Sequence, residues 1–187
     1  MTRDQLEHIL RAASRVIQER DLLIIGSQSV LATWDETRLP KEALRSIEAD
    51  VAPLDGDDRK SDLIDGALGE GSRFHETFGF YAQGVSLKTA VLPAGWRDRL
   101  IPLESESTRP GRGLCLEPHD CVISKMVAGR EKDYEYATAL LSAGLLDPEV
   151  LAQRIELLEV SATEKGRIRA WLRGVRGVST PKVPPDA

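Results

Sequence analysis

The chain has 187 residues, of which 41% are hydrophobic and 29% are charged, a balance typical of a globular protein and not of a disordered one. Its formal net charge of −5 argues against general affinity for nucleic acids, although a local basic patch is compatible with that total. The two cysteines, Cys115 and Cys121, have a spacing that matches neither a zinc site nor a disulfide framework. The first residues lack the apolar core of a signal peptide, and no apolar run is long enough to span a bilayer, so we expect a cytoplasmic protein.

The first part of the chain predicts alternating helices and strands. Apolar residues at helical spacing predict an amphipathic first helix, and the apolar run that follows predicts a buried strand. Proline in the strand over residues 100–103 favours an edge position in a sheet. The predicted elements are helices over residues 2–20, 29–32, 40–45 and 61–68, strands over residues 22–25, 47–51, 78–85, 100–103 and 114–116, and loops over residues 55–62, 69–77 and 105–113.

From Pro118 onward the sequence changes to helices alone. Glycine terminators, a Pro after Asp147 and a capping box that begins at Ser161 predict helices over residues 119–128, 131–143, 148–158 and 161–175. Three prolines in the last stretch predict a disordered tail. The chain therefore divides into an α/β core at residues 1–117, a C-terminal helical annex at 118–177 and a tail at 178–187.

Two short features in the first part carry chemical information. The strand at residues 22–25 ends in Gly26-Ser27 before a helix, an arrangement that suits an anion such as phosphate; the alternative is an ordinary turn between strand and helix. In the strand at residues 47–51, Glu48 and Asp50 share one face, and we expect Ile47 and its alternate neighbours to face the core. Two adjacent like charges are unfavourable unless a cation neutralises them, which predicts a metal site; the alternative is a solvent-facing strand edge.

The order of these features resembles the nucleotidyltransferase superfamily, and more narrowly the minimal bacterial nucleotidyltransferases of the abortive-infection (AbiEii-like) toxin type. Those proteins carry a Gly-Gly or Gly-Ser turn, an acidic-x-acidic strand and a downstream helical segment with the pattern Asp-x-x-x-x-Lys-x-x-x-x-Arg-x-x-Asp. Here the segment runs from Asp120 through Lys125 and Arg130 to Asp133. The match covers residues 22 to about 145.

The resemblance implies an α/β (α+β) fold with a mixed sheet flanked by helices, and Mg²⁺-dependent transfer of a nucleoside monophosphate from an NTP to an acceptor. Mg²⁺ prefers oxygen ligands, usually one or two carboxylates with phosphates and water. The implied metal ligands and catalytic residues are Glu48 and Asp50, the implied nucleotide contacts are Gly26, Ser27, Lys125 and Lys132, and the implied accessory residues are Gln83, Asp120, Arg130 and Asp133. The resemblance implies that Arg130 and Asp133 brace the annex, and a simple Arg–Asp ion pair explains the two residues equally well.

The sequence departs from the superfamily pattern at two positions. Glu48 stands where the superfamily usually has Asp, and Gln83 stands where a third carboxylate is commonly found on a neighbouring strand. Gln carries no charge and is a poor proton acceptor; Glu70, Glu76 or Glu104 would have to replace it. The alternatives to an enzyme are a catalytically degenerate nucleotide-binding module and an antitoxin-like interaction protein on the same fold.

Basic residues near the end of the chain bear on the acceptor. Lys165, Arg169, Arg173 and Arg176 fall near one face of the last predicted helix. Such a face can follow an RNA backbone, and RNA is therefore an expected acceptor. The alternative is a solvated face, or one paired with acidic residues elsewhere in the protein. A cognate antitoxin protein is the other partner that the resemblance implies.

Overall fold

The computed structural model describes residues 1–178, with side chains for residues 1–175. Of the tail predicted at residues 178–187, only Val178 falls within the described part, where it ends the last helix. The helices are α1 (Arg3–Ile17), α2 (Lys41–Leu44), α3 (Asp58–Leu68), α4 (Arg73–Phe78), α5 (Pro118–Ala128), α6 (Glu131–Ser142), α7 (Pro148–Glu156) and α8 (Ala162–Val178). The strands are β1 (Asp21–Ile24), β2 (Glu48–Pro53), β3 (Tyr81–Gly84), β4 (Ile101–Leu103) and β5 (Arg112–Cys115).

The strands form one mixed sheet in the order β3-β2-β1-β5-β4. β1 runs antiparallel to β2 and parallel to β5, while β3 is parallel to β2 and β4 is antiparallel to β5. The predicted fold class, a mixed sheet with flanking helices and helices after it, is confirmed. β4 carries Pro102 at the edge of the sheet, where a missing N–H leaves no gap in a ladder.

The sheet and the helices after residue 117 share one apolar core. Its fully buried side chains include Leu22 and Ile24 of β1, Ile123 of α5, Leu140 of α6 and Ile168 of α8. Burial of such residues is the main favourable contribution to folding. The annex therefore packs as part of the same body as the sheet. No helix within residues 1–178 is both long enough and apolar enough to cross a membrane.

The main local difference from the sequence prediction is α4, which occupies residues predicted as a loop. The Ser72 hydroxyl accepts a hydrogen bond from the His75 N–H and starts the helix, and Gly79 ends it with a φ of 75°. β3 consequently begins at Tyr81 and not at residue 78. The helix predicted over residues 29–32 is a 3-10 helix (Ser27–Ala32), and α3 begins three residues before Ser61, because Asp57 caps it.

Candidate active site

The turn after β1 brings the backbone against a carboxylate of β2. A Cβ atom built at Gly26 would lie 1.7 Å from Oδ2 of Asp50, so only glycine allows this approach. The turn is held from the annex side, since the Tyr136 hydroxyl donates to the Ser27 carbonyl oxygen at 2.8 Å. The predicted turn residues therefore lie beside the predicted acidic strand.

β2 presents Glu48 and Asp50 on one face, while Ala49 and Val51 are fully buried on the other. The sequence prediction for Ile47 was wrong: it precedes the strand and its side chain is 48% exposed. Strand pairing then sets Tyr81 opposite Glu48 and places the next same-face residue of β3 opposite Asp50. The alternation of β2 thus predicted the shared face correctly from Glu48 onward.

Tyr81 fixes the longer of the two carboxylates. Its hydroxyl donates a hydrogen bond to Oε2 of Glu48 at 2.8 Å. Burial and this bond to a carboxylate raise the pKa of Tyr81 to about 12, so the hydroxyl stays a donor. Sequence reasoning missed Tyr81 as a site residue, although it shares a face with Gln83 in the same strand.

Asp50 carries a charge that has no direct ion-pair partner among the described side chains. Burial raises its pKa first and the neighbouring Glu48 charge raises it further, while Lys125, Arg130 and Lys132 oppose both. None of the side-chain ion pairs found among residues 1–175 involves Glu48 or Asp50. The pair therefore favours a bound cation or a bound proton.

Cationic side chains of α5 and α6 face the two carboxylates. Asp133, which is 1% exposed, holds two of them: Arg130 Nε lies 2.7 Å from Asp133 Oδ2, and Lys125 Nζ lies 3.6 Å from Asp133 Oδ1. Burial opposes the charge of Asp133, but the Arg130 hydrogen bond and the Lys125 charge hold its pKa below the usual range. Lys125 also lies 5.1 Å from the ring centre of Tyr136. Arg130 and Asp133 thus form an ion pair, and their role in bracing the annex stays a prediction.

These groups surround a cavity of about 420 Å³, which we call the charged cavity. Its lining joins residues from the turn, α2, the two strands and the annex. The lining residues are Ser27, Glu42, Ala43, Arg45, Ser46, Ile47, Glu48, Asp50, Gln83, Lys125, Arg130, Lys132, Asp133, Glu135 and Tyr136. All of the predicted site residues line it except Gly26, which touches Asp50 from the adjoining side, and Asp120.

Asp120 has a different setting. It is 0% exposed, and Arg99 Nε lies 2.7 Å from its Oδ2 while Arg154 Nε lies 2.9 Å from its Oδ1. Burial raises the pKa of Asp120, and the two arginines act against that shift. Asp120 therefore ties α5 to α7 and to the turn before β4.

One family model matches residues 4–172, and it describes a "Nucleotidyltransferase of unknown function (DUF6036)". The chain belongs to this nucleotidyltransferase family. No curated protein matches the chain, and no solved structure matches it. The superfamily resemblance is thereby confirmed, while the narrower resemblance to abortive-infection toxins stays a prediction.

In this nucleotidyltransferase, none of Glu70, Glu76 and Glu104 takes the place of the third carboxylate that the superfamily commonly has where this chain has Gln83. Gln83 is exposed, lines the charged cavity and stands opposite Asp50. Glu104 pairs with Arg20 at 2.7 Å, and neither Glu70 nor Glu76 lines the charged cavity. Among residues 1–178, no group of three or more His, Cys, Asp or Glu side chains is arranged to hold a metal ion. Any ion here would be held by two carboxylates and neutral oxygens.

The basic face of α8 is partly engaged within the protein. Arg169 Nη2 lies 2.7 Å from the Glu156 carboxylate, and Lys165 Nζ donates to the Glu156 carbonyl oxygen at 2.9 Å. Arg173 is exposed, and the side chain of Arg176 lies outside the described part. The alternative of a face paired with acidic residues thus applies to Arg169, and RNA binding stays a prediction.

Proposed function

We propose that this nucleotidyltransferase uses Mg²⁺ to transfer the nucleoside monophosphate group of an NTP to an acceptor hydroxyl. The observation that supports it is the charged cavity, in which Glu48 and Asp50, which have no direct ion-pair partner among the described side chains, face the cations of the annex. Nucleotidyl transfer concentrates negative charge on phosphate oxygens, and positioning with charge neutralisation supplies most of the catalysis. Cations and a divalent-ion site on facing walls meet that requirement.

The donor set fits Mg²⁺. Glu48 and Asp50 offer carboxylate oxygens, and Gln83 offers an amide oxygen on the adjacent strand. A cation there would stabilise the charged form of Asp50 and so offset the burial and the repulsion by Glu48 that raise its pKa. When bound, the ion would neutralise phosphate charge and lower the pKa of the attacking hydroxyl.

The other side chains of the charged cavity would bind the phosphates of the nucleotide and orient the metal ligands. Lys125 and Arg130 are held toward the charged cavity by Asp133 and would contact phosphate oxygens. Lys132 makes no ion pair with any described side chain and remains available for the same anion. Ser27 lines the cavity and has a hydroxyl that can donate to a phosphate, while Tyr81 keeps Glu48 in one orientation.

The direct test is incubation of the protein with Mg²⁺, α-³²P-labelled NTPs and total cellular RNA, protein and small-molecule fractions. We expect covalent label on an acceptor, lost in Glu48→Gln and Asp50→Asn. Glu106→Gln is the matched control, because Glu106 is an exposed carboxylate outside the charged cavity. Equal labelling by Asp50→Asn and wild type would refute the proposed roles of these carboxylates.

A second candidate function is nucleotide binding without transfer, and Gln83 opposite Asp50 is the observation that favours it. Calorimetry with Mg²⁺ and each NTP would then show binding while no fraction acquires label. Gln83→Glu restores a third carboxylate, and transfer that appears only in this variant supports the degenerate module. Transfer by the wild type rejects it.

Transfer to RNA and a growth-inhibiting role countered by an antitoxin are proposals that rest on the resemblance to abortive-infection toxins. Induced expression in a bacterial host tests the role. Growth arrest by the wild type and normal growth with Asp50→Asn would support a catalytic toxin. Equal arrest by both would assign any toxicity to something other than nucleotidyl transfer.

A further inference from the structure

A second cavity, of about 360 Å³, adjoins the charged cavity; we call it the neutral cavity. The two cavities share Asp50, Lys125 and Arg130. Apart from these three, every residue that lines the neutral cavity is uncharged, and none is aromatic. Its walls come from the end of β1, the stretch after β3 and the last turn of α5, and they include Gly26, Val85, Thr89, Val91, Ser124 and Val127. Gly26, an implied nucleotide contact, lies where this cavity meets Asp50.

In-line displacement requires two separate approaches to the reacting phosphorus. The attacking oxygen and the leaving pyrophosphate lie on opposite sides of the α-phosphorus. Two cavities that meet at Asp50 offer one approach to each group. Beyond the shared cations, the charged cavity has Lys132, which makes no ion pair with any described side chain, so it suits the triphosphate. Its Arg45 is already paired with Glu135 at 2.9 Å. The neutral cavity is then the approach left for the acceptor.

We propose that the neutral cavity binds the acceptor, and that the acceptor carries its hydroxyl on an uncharged, partly apolar body. This inference rests on the proposed nucleotidyl transfer. Proteins hold single-stranded RNA with a cationic groove and with aromatic rings on which bases stack. The neutral cavity has aliphatic walls, the hydroxyls of Thr89 and Ser124, and no cation beyond the two that it shares. Its chemistry fits a neutral alcohol or the hydroxyl side chain of a polypeptide.

The reaction balances without another reagent. The acceptor oxygen forms a bond to the α-phosphorus of the NTP, and the bond from that phosphorus to the bridging oxygen of the β-phosphate breaks. Pyrophosphate leaves with the electron pair of the broken bond. The hydroxyl proton is released to water at the open mouth of the neutral cavity.

Occupancy can be measured separately from transfer by protection of an introduced thiol. Val91→Cys places a thiol on the rim, where Val91 is 39% exposed, and Leu63→Cys is the control on α3, outside both cavities. The native thiols Cys115 and Cys121 are buried, which raises their pKa and suppresses their reaction with a neutral maleimide. N-acetyl-tyrosinamide, a capped uncharged peptide containing threonine and tyrosine, and a short oligoribonucleotide are the probes.

In the presence of Mg²⁺ and a non-hydrolysable NTP analogue, we expect N-acetyl-tyrosinamide to slow the modification of Val91→Cys by maleimide at least about threefold. The rate of modification of Leu63→Cys should not change. Equal protection by the peptide indicates a polypeptide acceptor, and protection by N-acetyl-tyrosinamide alone indicates a small-molecule acceptor. Protection by the oligoribonucleotide, or by no probe, overturns the inference. Protection without label transfer keeps the binding site and rejects the proposed function.

Charge reversal at the same position separates neutral from anionic acceptors. In the labelling assay, Val91→Lys and Val91→Glu should both lower transfer to the neutral probe by similar factors, because each introduces an unpaired charge beside an apolar ligand. A higher rate with Val91→Lys and a lower rate with Val91→Glu, measured with the oligoribonucleotide, would identify RNA and overturn the inference. Leu63→Lys and Leu63→Glu control for general charge effects.

Discussion

Asp120 on α5 is fully buried and Asp50 on β2 is half-buried; burial raises the pKa of both, but the surroundings of the two charges differ. Asp120 has two arginines within 2.9 Å. Asp50 has a second carboxylate beside it and only cations that act from a distance. A buried charge with direct partners contributes to structure, whereas a buried charge without them stores unfavourable energy that a ligand can release. The sequence motif of the family alone does not show that Asp120 has a structural role while Asp50 has a ligand-binding one.

The largest expected effect is on stability at Asp120. Asp120→Ala removes the fully buried carboxylate that pairs with the half-buried Arg99 and Arg154, so the free energy of unfolding should fall by about 3–5 kcal/mol. Urea denaturation measures it. Glu106→Ala, which removes an exposed carboxylate paired with Arg109, should change stability by less than about 1 kcal/mol. A similarly small change at Asp120 would contradict the structural role.

The reverse pattern is expected at Asp50. Asp50→Asn should lower transfer about 10²–10³-fold, the range found when a group that stabilises transition-state charge is removed. Its melting temperature should rise by about 2–4 °C, because an uncompensated charge is gone. Calorimetric melting without Mg²⁺ measures the second effect. A melting temperature below that of the wild type would show that the Asp50 charge stabilises the fold.

Gly26→Ala tests the contact between the turn and β2. The new methyl group would overlap the Asp50 carboxylate, so we expect transfer to fall at least about tenfold and stability to fall by about 1–3 kcal/mol. Gly66→Ala is the control, since a Cβ there meets no atom within 4 Å and lies in α3. That variant should be as stable as the wild type or more stable.

Tyr81→Phe removes one hydrogen bond and keeps the ring. Stability should fall by about 1 kcal/mol, and the Mg²⁺ concentration for half-maximal stabilisation against heat should rise about threefold to tenfold, because Glu48 loses its fixed orientation. Thermal melting across a Mg²⁺ titration gives this constant without any assay of transfer. An unchanged constant, with stability lowered, would limit Tyr81 to packing.

The smallest effect is on the pH dependence of stability. Burial, together with the neighbouring Glu48 charge, holds the pKa of Asp50 above its usual value of 3.8, so the folded protein retains a proton that the unfolded chain releases as the pH rises. Relative to Asp50→Asn, the wild type should lose stability as the pH rises from about pH 4, and the difference should become constant above the folded pKa. Parallel denaturation curves from about pH 4 to about pH 8 test the sign.

The sequence predicted what depends on local periodicity and short motifs. Alternation put Glu48 and Asp50 on one face, and the spacing of Lys125, Arg130 and Asp133 places them around one helix junction. α4 was missed because its short amphipathic pattern lies between glycines, although Ser72 as a cap was visible in the sequence. Residue periodicity and capping motifs therefore predict long helices and strands more reliably than short helices in Gly-rich stretches.

Contacts between distant segments were beyond sequence reasoning. The partners of Asp120 come from the turn before β4 and from α7, and nothing in their spacing indicates that they meet at one carboxylate. The resemblance put Gln83 on a strand next to the acidic strand, but residue spacing alone does not give the register that sets it opposite Asp50. The neutral cavity likewise depends on how the stretch after β3 lies against α5.

The bonds that join the annex to the turn after β1 have a kinetic consequence. The Tyr136 hydroxyl holds the Ser27 carbonyl, and the Cys121 thiol lies 3.5 Å from the Gly26 carbonyl oxygen, so both walls of the charged cavity belong to one packed unit. Nucleotide should therefore associate in a single step whose observed rate rises linearly with its concentration, without the plateau that a slow closing motion produces. Stopped-flow fluorescence of a labelled NTP analogue would measure this dependence of the observed rate on nucleotide concentration.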